Sequence, residues 1–115
     1  MPHVVFDKKI SLDKFSTRFK EKFLKNPCLI KLKKIYLDKE KRSALVSVIV
    51  IGESHQEFFI EIMTRDDKTT LRFLPVTDPV KTSGVKFSLG LLAHMILEYD
   101  SSYVIVKTNI REFMP

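Results

Sequence analysis

Few residues in this chain are spaced for bond-breaking chemistry. Gly52-Glu53-Ser54-His55-Gln56 has the central serine of a nucleophile elbow, but Gln stands where the second glycine is needed. The segment also lies between two strand-like runs, whereas an elbow joins a strand to a helix. His3, His55 and His94 are scattered, without the spacing of a metal site. His94 and Glu98, four residues apart, suit a structural ion pair along a helix. Glu57 and Glu61 share one strand face about 13 Å apart, at about 3.3 Å per residue, which is too far for a retaining carboxylate pair. Cys28 is the only cysteine, so neither an internal disulfide nor a cysteine-based metal cluster can form. Directly after Pro27, it reads as a small core residue at the start of a strand. The residues thus imply no enzyme, no cofactor and no metal, and they identify no small-molecule substrate.

Groups suited to anions are more numerous. Lys81-Thr82-Ser83-Gly84 sits at or near a helix start, where free amides, two hydroxyls and a lysine could hold a phosphate or sulfate. It lacks the upstream glycine of a P-loop, and ordinary capping is the plainer reading. The net charge is +6. Residues 1–42 hold 13 Lys/Arg against 5 Asp/Glu, whereas residues 43–115 hold 7 against 9. Lys14, Arg18, Lys22 and Lys25 fall on one flank of an expected first helix. Lys31, Lys33 and Lys34 follow in a strand, and Lys41 and Arg42 in a hairpin tip. Clustered cations of this kind reward contact with phosphates by releasing counterions, so nucleic acid is a candidate partner. The competing reading is a lysine-rich solvated face, and the 15 Lys against 5 Arg favour it, because arginine is the better bidentate reader.

The elements that position these groups can be read from periodicity. His3–Phe6 is a short strand. Ser11 is placed to cap a helix, with Asp13 in its first turn and Ile10 set to staple against Phe15. Leu12, Phe15, Phe19 and Phe23 recur at helical spacing, which predicts a helix running to Asn26-Pro27. Cys28–Asp38 alternates at Ile30 and Leu32, then again at Ile35 and Leu37, and the change of parity at Lys33-Lys34 predicts a bulge. Ser43–Ile51 is apolar nearly throughout, as in a central strand. Gln56–Thr64 and Thr69–Leu74 follow across short turns, so neighbours are antiparallel and form a meander. A second helix starts at Asp78-Pro79 or at Ser83-Gly84 and continues to about Tyr99. Tyr103–Thr108 is a last strand before an irregular tail. The expected fold is one α+β domain, β-α-β-β-β-β-α-β, with two helices packed on one face of an antiparallel sheet. Over residues 3–99 this order is similar to the β-α-β4-α unit of the TATA-binding-protein-like fold, a resemblance of architecture alone.

The second helix has apolar residues on both sides. Val85, Leu89, Leu92, Ile96 and Tyr99 share the face expected to meet the sheet. Phe87 and Leu91 point away, alongside Gly90 and His94. A surface helix normally has a polar back, so this pair needs cover from the first helix or from another chain. Phe59 and Met63 add a second apolar row on the sheet's far side, interrupted by Lys31, Glu61 and Arg72. That row is either a partly exposed sheet with cross-strand ion pairs or a second contact surface. These surfaces together point to a homodimer. No apolar run approaches the roughly 20 residues of a membrane span, and no secretory leader is evident, so a cytoplasmic location is expected. The leading functional expectation is a non-enzymatic binding or interaction domain that self-associates; nucleic-acid binding through the basic third is the alternative, with a small-molecule binder or an enzyme behind both.

Overall fold

The computed structural model describes residues 2–25 and 28–114. Its elements are β1 (His3–Phe6), α1 (Leu12–Arg18), β2 (Lys22–Leu24), β3 (Leu29–Leu37), β4 (Ser43–Ile51), β5 (His55–Arg65), β6 (Lys68–Phe73), α2 (Ser83–Tyr99) and β7 (Ile105–Thr108). Two short 3-10 turns, Pro75–Thr77 and Arg111–Phe113, accompany them. All pairings in the seven-stranded sheet are antiparallel, and the strand order is β2-β3-β4-β5-β6-β1-β7. Strands β3 to β6 form the expected meander, and β7 extends the sheet beyond β1 rather than closing it.

Alternation decides which face is covered. Val46, Val48 and Val50 on β4, Phe58, Ile60 and Ile62 on β5, and Leu71 and Phe73 on β6 are buried on one side. Both helices pack there: Leu12 and Phe15 of α1 and Val85, Leu89, Leu92 and Ile96 of α2 belong to the same core. The Val46–Val50 row is therefore sealed within one molecule. Fully burying side chains of this size stabilises by about 1.5–3 kcal/mol each. One polar side chain in this layer, Thr69, is satisfied twice: its hydroxyl accepts from the Ile10 amide at 2.9 Å and donates to the Lys8 carbonyl at 2.8 Å. That pair fixes the approach to α1 against β6.

Between Leu32 and Ile35 the β3–β4 register shifts, and the Lys34 amide donates to Ser47 Oγ at 3.1 Å. This is the bulge expected at Lys33-Lys34. It returns Ile35 and Leu37 to the core side and leaves Tyr36 52% exposed on the other.

The first helix differs from expectation. It ends at Arg18, because Phe19 adopts φ −61°, ψ 133° and leaves the helix. The Ser16 and Thr17 hydroxyls both donate to the Asp13 carbonyl, at 2.9 Å, and such local bonds compete with helix continuation. Residues Lys22–Leu24 instead pair with β3. The element order therefore holds one more strand than the expected β-α-β-β-β-β-α-β. The stop expected at Asn26-Pro27 lies outside the described residues. Ser11 occupies the N-cap position, but its side chain makes no capping bond. The second helix takes the later of its two possible starts, with Thr82 as N-cap.

Candidate functional site

The early end of α1 opens a groove. The chain turns away at Phe19 to reach β2, and this leaves a cavity of about 470 Å³ between α1, residues 19–22 and the last turns of α2. Phe15, Phe19, Met95 and Tyr99 line it, with the Phe15 ring edge-on to Phe19 at 6.2 Å and to Tyr99 at 5.5 Å. Arg18, Lys20 and Lys22 stand around it. Lys22 pairs in register with the core residue Leu32, which places its side chain on the helix side of the sheet. The Arg18 guanidinium lies 5.6 Å from the Tyr99 ring centre. Two carboxylates, Glu21 and Glu98, also border the groove. Glu21 pairs with Lys31 at 3.6 Å, and Glu98 with His94 at 3.6 Å, the i,i+4 pair expected on α2. Arg18, Lys20 and Lys22 have no ion pair among the described residues.

The nine cations read as one polyanion face are divided by the sheet. Lys14 and Arg18 lie on α1, Lys22 on the helix side of β2, and Lys25 just beyond it, so the expected helical flank of Lys14, Arg18, Lys22 and Lys25 does not exist. Lys31 and Lys33 face the opposite side, and Lys34 is exposed at the bulge. Four of the nine have ion pairs: Lys31 with Glu21, Lys33 with Glu57 at 3.9 Å, Lys41 with Asp13 at 3.4 Å and Arg42 with Glu40 at 3.7 Å.

At the start of α2 the expected anion loop is occupied by its own chain. Lys81 Nζ pairs with the Asp78 carboxylate, donates to the Pro79 carbonyl at 2.8 Å and lies 5.8 Å from the Phe73 ring centre. Thr82 Oγ1 accepts from the Val85 amide at 3.2 Å, which is ordinary capping. Ser83 and Gly84 border a second cavity of about 340 Å³ together with Cys28 and Ser54. Burial pushes the Cys28 thiol pKa up, which lowers its thiolate fraction and its nucleophilicity. Among the described residues no group of three or more His, Cys, Asp or Glu could hold a metal ion, and no helix is long and apolar enough to cross a membrane.

Cover for the back of α2 comes from the chain's own C-terminal turn, not from α1. Leu91 is only 3% exposed, and a side chain at Gly90 would overlap the Phe113 carbonyl. Gly90 and Leu91 are therefore unavailable as the expected dimer interface, while Phe87 and His94 are half-buried at its margin. Phe59 and Met63 do lie on the open face of the sheet, where Arg72 Nε donates to Glu61 Oε1 at 2.9 Å across β5 and β6. Sequence reasoning missed the groove, because the Phe stripe satisfied helical spacing through Phe23 and hid the turn at Phe19. No family model, no curated protein and no solved structure matches this chain.

Proposed function

We propose that this chain is a non-catalytic binding domain that holds a small amphipathic anion, a carboxylate or sulfonate on an apolar body, in the groove between α1 and the end of α2. One observation carries this reading: aromatic rings from two helices form an apolar lining, and three cations without ion-pair partners among the described residues surround it. Rings and a methionine take up the apolar body by shape and dispersion. Arg18, Lys20 and Lys22 supply charge-assisted hydrogen bonds to the anionic head. Three cations stand here against two carboxylates, of which Glu21 is already paired with Lys31, so the groove favours anions over cations. Apolar pockets of several hundred Å³ with a few polar groups are the usual form of a small-ligand site.

The probe is 8-anilinonaphthalene-1-sulfonate, followed by its fluorescence. One saturable site is expected, displaced by decanoate and not by decylamine. Arg18→Glu combined with Lys22→Glu should weaken binding about tenfold or more, since a hydrogen bond to a charged group contributes about 1.5–3 kcal/mol. Unsaturable binding, or binding indifferent to that double variant, would remove the proposal.

A further inference from the structure

The sheet's uncovered side has an order of its own, independent of the groove on the helix side. Three adjacent strands present three different chemistries there. Outward from β3 come Lys31, Lys33 and, past the bulge, Tyr36. Outward from β4 come Leu45, Ser47 and Ile49, and outward from β5 come Glu57, Phe59 and Glu61. A basic strand and an acidic strand thus flank a mostly apolar one.

We infer that this face docks a second copy of the chain, with the two copies related by a two-fold axis running along β4. Rotation about that axis leaves β4 over β4 and places β3 of each copy over β5 of the other. Lysines then meet glutamates on both sides of an apolar seam, as a self-complementary interface requires. Around β4, Lys31, Lys33, Lys34 and Arg72 stand against Glu21, Glu57 and Glu61, so the area to be docked is close to neutral; Arg65, Lys68 and Lys107 lie on the same side but away from it, at the β5–β6 turn and on β7. A polyanion would meet three carboxylates here, whereas a second copy meets matched charge. The anchors are of interface type: Phe23 is 48% exposed and Tyr36 52%, with Phe59 edge-on to Tyr36 at 6.3 Å. The size also fits. Strands β2 to β6, at about 3.4 Å per residue and about 4.8 Å spacing, cover about 600 Å², so two copies bury about 1,200 Å² in total, at the lower end of the range for a stable complex.

Sedimentation equilibrium of the full chain tests this directly. The wild type is expected at twice the chain mass at micromolar concentration. Lys31→Glu with Lys33→Glu gives a chain acidic on both flanks, and Glu57→Lys with Glu61→Lys gives one basic on both. Each alone should raise the dimer dissociation constant at least about tenfold through like-charge contact, and an equimolar mixture should recover a heterodimer. If either double variant fails to fold, Ile49→Arg puts a charge beside the axis, opposite its own copy, and should give a monomer. A wild type that stays monomeric at millimolar concentration overturns the inference. Variants as dimeric as the wild type, or a mixture that recovers nothing, overturn it equally.

Discussion

Gly84 shows how tightly one residue can tie a helix start to the sheet beneath it. A Cβ built there would lie 2.5 Å from Cys28 Sγ and 3.1 Å from Val50 Cγ1. Glycine is needed for closeness here, not for an unusual backbone angle. In an open helix Gly→Ala gains up to about 1 kcal/mol from propensity. At this position overpacking decides the sign, and Gly84→Ala should cost about 1–3 kcal/mol in urea unfolding. Cys28→Ala in the same chain removes the sulfur and should recover most of that loss, leaving the milder contact with Val50. Neutral behaviour of the single variant, or no recovery in the double one, would mean the sulfur does not set the limit. The same closeness accounts for the raised thiol pKa: a sulfur packed against α2 and β4 has lost water that would solvate its anion.

At the scale of elements, the parts that repeat were legible and the parts that do not were hidden. The bulge in β3 could be read because Ile30 and Leu32 keep one parity and Ile35 and Leu37 the other. The meander could be read because each turn is short and polar. β2 could not: three residues carry no period, and Phe23 fitted the helical stripe as well as it fits a strand. The C-terminal turn had no period either, yet it decides what covers α2. Arg111–Phe113 lies across the helix where Gly90 leaves room, and Lys86 Nζ sits 5.2 Å from the Phe113 ring centre. Gly90→Ala should therefore displace the turn, because the obstacle is backbone rather than a movable side-chain tip. Trypsin should then cut after Arg111 several times faster in the variant than in the wild type, and Leu91 should become solvent-exposed. A Gly90→Ala chain as resistant as the wild type would show that the turn does not depend on that contact.

For the molecule as a whole, the question is how a chain with net charge +6 meets polyanions when its cations are split between two sides of one sheet. Total charge gives any such protein weak, salt-sensitive retention. Specific engagement needs cations that can touch one phosphate backbone together, and the affinity then falls steeply with salt as counterions are released. Nine simultaneous contacts to a single strand would give a log–log salt slope of about −6, at about −0.7 per phosphate. Lys31 and Lys33 face away from Lys14, Arg18 and Lys22, and four of the nine are held in ion pairs. One strand can then reach at most the few cations around the groove. The expected slope with an unstructured oligonucleotide is accordingly no steeper than about −2, measured by fluorescence anisotropy across a salt series. Arg18→Glu with Lys22→Glu should flatten it further, whereas Lys31→Glu with Lys33→Glu should leave it nearly unchanged. A slope near −6, or equal sensitivity to both pairs, would mean that the two sides act as one surface, and the separation of charge by the sheet would lose its functional meaning.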